Sequence, residues 1–286
     1  MTGEGQKQFW TMKIRPHERL WHIDLGEIWQ YRDLMALFVK RNIVVQYKQT
    51  ILGPLWYLIQ PTLTVLMNMV VFGGIAKMST DGMPQALFYM AGNICWFYFS
   101  SCLSQSSSTF TANQHMFGKV YFPRLVVPIA AAISNLLRFA IQAGLFVALY
   151  IYFFANGAPI VPNWAVLLIP LLVVMMAGLG LGFGILISSA TTKYRDFSIL
   201  FTFVVQLWMY ATPIVYPLSM VPEGKLRTLI LVNPMTSIIE TFKYATLGQG
   251  YFSWQALGYS FLFMSVLLVF SVCVFNKVQR SFMDTV

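Results

Sequence analysis

Residues 164–189 read WAVLLIPLLVVMMAGLGLGFGILISS, an apolar run without one charged side chain. Crossing the hydrocarbon core of a bilayer takes about 20 mostly apolar residues, and this run is longer than that. A helix apolar on every face belongs in a protein core or in lipid. Within it, Gly178, Gly180, Gly182 and Gly184 alternate with Leu and Phe. The pattern is superficially that of a phosphate-binding loop, but no strand precedes it and no Lys-Ser or Lys-Thr follows. Glycines four apart instead let helix backbones approach closely in lipid. Gly178 then pairs with Gly182 on one side, and Gly180 with Gly184 on another.

Composition extends this reading to the whole chain. Of 286 residues, 57% are hydrophobic and 10% charged, with mean hydropathy +0.64. Soluble domains are about 45–50% apolar and about 25% charged. Six spans are predicted, over residues 55–76, 86–103, 126–154, 164–189, 197–216 and 256–275. The expected fold is all-α and integral to a membrane. One transmembrane domain covers 27–276, between an N-terminal tail at 1–26 and a C-terminal tail at 277–286. The first 25 residues are polar and lack an apolar core, so they do not read as a cleaved signal peptide.

Lysine and arginine set the orientation. With both termini in the cytoplasm, the inner segments carry Lys7, Lys13, Arg15, Arg19, Arg32, Lys40, Arg41, Lys48, Lys119, Arg124, Lys193, Arg195, Lys277 and Arg280. The outer loops carry only Lys77, Lys225, Arg227 and Lys243. The net charge of +9 is mostly this bias, and no nucleic-acid partner is expected. Two further segments are helical without spanning. Over 27–45, Ile28, Tyr31, Met35 and Phe38 recur at helical spacing among Arg32, Asp33, Lys40 and Arg41, which predicts an amphipathic helix at the cytoplasmic interface. Over 218–250, Asn233 is placed as N-cap, Pro234 as first helical residue and Gly248 as C-cap. The pieces on either side are too short to cross, so they are expected to dip into the outer leaflet as a re-entrant pair between spans five and six.

Few residues carry chemistry. Cys95 and Cys102 lie seven apart, about 10 Å along a helix, too far for a disulfide. With Cys273 and the scattered His17, His22 and His115 they form no metal-type spacing, so no metal site is expected. The outer acids are only Asp81, Glu223 and Glu240, with no paired-carboxylate or Ser/His/Asp pattern, which argues against an enzyme. Arg138 sits mid-span with Ser134, Asn135 and Gln142. Positions 134, 138 and 142 form one polar stripe. A charge at that depth needs a partner or water: either it lines a substrate path, or it is buried in the bundle or at a subunit contact. Trp96, Tyr98, Trp208 and Tyr210 carry a similar choice, between rings that stack on sugars and an ordinary interfacial belt.

Four stretches resemble the permease subunits of ABC type-2 exporters, specifically the group exporting O-antigen, capsule or teichoic acid. They are Gln46-Tyr47-Lys48-Gln49-Thr50-Ile51-Leu52-Gly53-Pro54-Leu55-Trp56 with Gln60-Pro61; Asn113 through Lys119-Val120-Tyr121-Phe122-Pro123-Arg124; Lys193-Tyr194-Arg195-Asp196 with Gln206 and Thr212-Pro213-Ile214-Val215-Tyr216-Pro217; and Asn233-Pro234-Met235 with Glu240 and Tyr244. The resemblance implies a homodimer in the bacterial inner membrane with two copies of a separate ATPase. That ATPase holds ATP and Mg, and this chain binds no cofactor. The interface helix and two cytoplasmic loops would contact it, through Asn113, Lys119, Arg124, Lys193, Tyr194, Arg195 and Asp196. The implied cargo is a polysaccharide built on a lipid carrier. An exporter of drugs or small lipids, and a membrane enzyme of glycan synthesis, are the rival readings.

Overall fold

The computed structural model describes residues 25–48, 50–117, 122–191 and 196–283. Among the described residues every regular element is helical. The helix predicted over 27–45 is present as α1 (Leu25–Gln30) and α2 (Arg32–Tyr47), interrupted at Tyr31. A 3-10 turn at Gly53–Leu55, α3 (Trp56–Asn68) and a π-helical stretch at Met69–Ile75 together make the first long apolar rod. Then come α4 (Gln85–Ser107), α5 (Thr109–Phe117) and α6 (Val126–Ala155). A 3-10 turn at Trp164–Leu168 leads into α7 (Ile169–Thr191), followed by α8 (Asp196–Tyr210). After another 3-10 turn at Leu218–Met220, α9 (Lys225–Val232), α10 (Pro234–Leu247) and α11 (Trp254–Met283) complete the described chain.

Among the described residues five helices are long and apolar enough to cross a membrane: Gly53–Ile75, Gln85–Ser107, Val126–Ala155, Trp164–Thr191 and Trp254–Val278. The predicted span at 197–216 differs. Its helix stops at Tyr210, and its 15 residues cover about 22 Å of a core roughly 30 Å thick. Pro213 and Pro217 explain the stop. Neither has an N–H to continue the ladder, and Thr212 turns its hydroxyl back to donate to the Trp208 carbonyl at 2.9 Å.

The glycine run of α7 organises the bundle as its spacing predicted. A Cβ built at Gly180 would lie 2.9 Å from the Phe99 carbonyl oxygen, and one at Gly184 2.7 Å from that of Leu103, so this face seats directly on α4. The opposite pair meets α11: a Cβ at Gly178 would strike Met264, and one at Gly182 would come within 2.8 Å of Leu267 Cγ. Gripped this way, α4 is the central pillar. Within its most apolar window 78% of residues are buried, against 17% for the α3 rod and 11% for α6, whose faces look outward. Leu66 and Val70 on that rod and Val147 and Ile151 on α6 are exposed apolar side chains. Lipid is the solvent that such faces match.

At Gly184 the obstructing atom is backbone, so Gly184→Ala should destabilise the detergent-purified protein by about 1–3 kcal/mol through overpacking. Gly144→Ala, where nothing lies within 4 Å, should leave the melting temperature unchanged or slightly raised. Thermal melts of the two variants measure the difference.

Candidate functional site

The predicted polar stripe on α6 is real and faces the same chain. Arg138 donates from Nη2 to Gln60 Oε1 of α3 at 2.9 Å and from Nη1 to Ser101 Oγ of α4 at 3.5 Å. Its guanidinium also lies 5.2 Å from the ring centroid of Tyr57, whose hydroxyl donates to Gln46. One turn earlier, Asn135 Oδ1 accepts from Gln105 Nε2 at 3.2 Å, and Ser134 Oγ accepts from Asn42 Nδ2 of α2 at 3.4 Å. A charge on an apolar helix is thus held by amides, hydroxyls and a ring face, the partners it needs at membrane depth.

Gln60 also lines a groove of about 500 Å³ along α3, with Trp56, Leu63, Thr64, Met67 and Asn68. Gln60, Thr64 and Asn68 are four apart, so they stack on one helix face as a ladder of neutral polar groups. Asn68 is only 9% exposed, yet its Nδ2 has no hydrogen-bond partner. Leaving such a donor buried and unmade costs about 1–3 kcal/mol. The arrangement suits hydroxyl-rich ligands: polar side chains at intervals of about 6 Å, an amide, a hydroxyl and an amide, with the half-exposed Trp56 ring at one end. The sequence reading passed over this ladder. Its signal was present, three polar residues at period four in an otherwise apolar run.

The candidate aromatics separate by burial. Trp96 and Tyr98 are buried. Trp96 stands edge-on to Trp208, centroids 6.2 Å apart, and Trp208 meets Phe99 at 5.3 Å and Phe183 at 5.1 Å. These rings knit α4, α7 and α8 together, while Tyr98 packs on Phe139 of α6 at 5.3 Å. Tyr210, by contrast, is 58% exposed, on a face of α8 that also shows Ile199, Phe203 and Leu207. Trp96→Ala should therefore cost about 3–5 kcal/mol of stability through the cavity it leaves. Tyr210→Ala should leave the melting curve of the purified protein in place.

At the other end of α4, the short helix α5 carries Asn113, whose amide donates to the Thr109 carbonyl at 3.0 Å. Phe110 fixes α5 in position. Its ring stacks on Phe275 of α11 at 4.6 Å and its backbone N–H donates to Ser188 Oγ of α7 at 3.2 Å. The cluster around it includes Phe38, Phe122, Val126 and Ile185, with Ile28, Tyr31 and Met35 against it. The predicted apolar face of the interface helix is therefore the one that packs inward. Arg124 is buried beside this cluster, and burial pulls its pKa down from the ordinary arginine value, though a guanidinium keeps its charge at physiological pH. Asp196 is exposed at the start of α8. Lys119, Lys193, Tyr194 and Arg195 lie outside the described residues. The fixing residues Phe110, Ser188 and Phe275 were not singled out from sequence, because only tertiary packing brings them together.

Opposite this base, Asn233 and Pro234 start α10 as expected. Asn233 Oδ1 accepts from the Met235 N–H at 3.1 Å, and Gly248 closes the helix at φ 79°. Glu240 is 2% exposed and pairs with Lys243 at 3.4 Å. Lys243 is 1% exposed and belongs to the core, where the sequence reading put it in an outer loop.

Residues 34–247 match the ABC-2 type transporter family, and the chain belongs to that family. It is 28% identical over 218 residues to the O-antigen export system permease protein RfbA of Myxococcus xanthus, covering 76% of this chain and 81% of that one. A Klebsiella pneumoniae protein of the same name is 24% identical, with coverage of 88% and 94%. The polysialic acid transport protein KpsM of Escherichia coli is 26% identical, with coverage of 87% and 95%.

Proposed function

We propose that this chain is the permease subunit of an ATP-driven exporter that carries a lipid-linked, O-antigen-like polysaccharide across the bacterial inner membrane. The observation that carries this is the ladder of Gln60, Thr64 and Asn68 along a groove in an otherwise membrane-type rod. The lining is mixed: a glycan's hydroxyls can bond to these rungs while the apolar faces of its sugars lie on Trp56, Leu63 and Met67. The names of the relatives, two O-antigen export permeases and a polysialic acid transport protein, point the same way.

In this reading both termini are cytoplasmic and the chain crosses six times. The short α8 and the segment 211–217, buried from Thr212 to Val215, make the fifth crossing, and α9 and α10 are the re-entrant pair. Two copies of the chain assemble with two copies of an ATPase that binds ATP and Mg. The exposed faces of the α3 rod and α8 from both copies line the path, with Tyr210 on it and Arg138 beside it, while Trp96, Tyr98 and Trp208 support its walls. The coupling surface is built from α2, α5 and the loops bearing Asn113, Lys119, Arg124, Lys193, Tyr194, Arg195 and Asp196. Because α5 is stacked on α11 and bonded to α7, a push from the ATPase reaches two long helices directly.

Deleting the gene should remove a surface polymer and accumulate its lipid-linked precursor inside the cell. Restoring the chain with Thr64→Val or Asn68→Leu should leave the complex assembled but slow export by about five- to tenfold, the size of one lost hydrogen bond per rung. Full-rate export by both variants would refute the groove assignment, and an unchanged polymer and precursor pool after deletion would refute the cargo. Arg195→Glu should abolish stimulated ATPase activity and export while the protein stays in the membrane, as measured in isolated vesicles.

A further inference from the structure

The outer end of α8 is attached to α10 in an unusual way. Lys243 Nζ donates to the carbonyl oxygen of Pro213 at 2.6 Å, lies 3.4 Å from Glu240 Oε1, and stands 3.8 Å over the ring of Phe88 on α4. The other carboxylate oxygen, Glu240 Oε2, accepts from the Tyr251 backbone N–H at 3.1 Å. Pro213 belongs to the non-helical segment that follows α8, so its carbonyl is one that no helical turn satisfies. A second tie lies beside the first: Asn233 Nδ2 donates to Thr212 Oγ1 at 2.8 Å. Along its own length α8 buries only Val205 and is held by Trp208 against α4 and α7; this corner ties its end to α10.

A buried ion pair is often no more stabilising than two apolar side chains of the same volume, and its best-attested use is to fix one arrangement of elements over another. Here the fixed element is the junction of a sparsely packed helix with one buried at every position but Tyr244. We propose that Lys243 is a positioning residue that locks the outer end of α8 to α10, so that α8 pivots about this corner during the transport cycle instead of sliding past it. The proposal rests on the exporter reading above for the existence of a cycle.

The test uses the full complex with its ATPase subunit, in membranes, with Cys273 replaced by Ser and the variant pair Thr212→Cys and Asn233→Cys added. Disulfide yield on mild oxidation is compared without nucleotide and in an ATP-trapped state. Equal yields in both states are expected, and a yield that collapses in one state would overturn the lock. Adding Glu240→Leu with Lys243→Met removes the charges as a pair, which avoids stranding one of them. Assembly should persist, but the cross-link yield should now differ severalfold between the two states. Equal yields without the lysine would also overturn the proposal. Neither readout depends on the cargo, whereas polymer export by the wild-type complex tests the exporter reading separately.

Discussion

Helices surrounded by lipid gain nothing from hydrophobic exclusion of water, so what holds them together is contact between surfaces that can come close. In this chain the contact is made by α7. Its glycines remove side chains on two faces, so α4 lies against Gly180 and Gly184 while α11 lies against Gly178 and Gly182. The remaining elements are arranged around that three-helix core. The aromatic cluster of Trp96, Phe99, Phe183 and Trp208 hangs α8 on it, and α6 flanks α4 through amides rather than glycines. Elements far from α7, such as the α3 rod and the outward face of α8, keep open surfaces.

Much of this was legible in the amino-acid sequence, for identifiable reasons. Hydropathy found the long rods because lipid imposes length and composition together. The helical period of Ile28, Tyr31, Met35 and Phe38 marked the inward face of the interface helix, since one stripe of a helix meets its support. Asn233, Pro234 and Gly248 marked both ends of α10 because capping is local chemistry. What the sequence did not disclose was set by partners distant in the chain. Trp96 and Tyr210 have similar rings, yet one is walled in and the other open, and periodicity has no power where every face of a helix is apolar. Lys243 looked like a loop cation because its carbonyl partner, Pro213, is thirty residues away. The end of α8 was overrun because hydropathy continues through Ile214 and Val215 after the hydrogen-bond ladder has stopped.

Polar groups in this bundle follow a common economy. Most of those placed at depth are matched: Arg138 by Gln60 and Ser101, Asn135 by Gln105, Ser237 by Ser260 at 2.7 Å, and Glu240 by Lys243. Among the described residues the amides of Asn68, Asn93 and Gln142 are exceptions, and of these three Asn68 lines the α3 groove. Unmade hydrogen bonds in a low-dielectric interior are costly, and a residue at the wall of a groove is nearer to a ligand that could make one than a residue sealed in the core.

The short helix α5 has two sides with different obligations. Thr109 and Phe110 are buried and fixed by α7 and α11, whereas Thr111 and Ala112 on the next positions are exposed. Side chains on the open side can be exchanged without repacking anything beneath them. A motor protein docking there would meet a surface whose identity is free to drift while its mounting is not. On the proposed coupling surface, swapping engines between related permeases would then include rewriting the outward residues of this one helical turn, with the transport bundle left as it is.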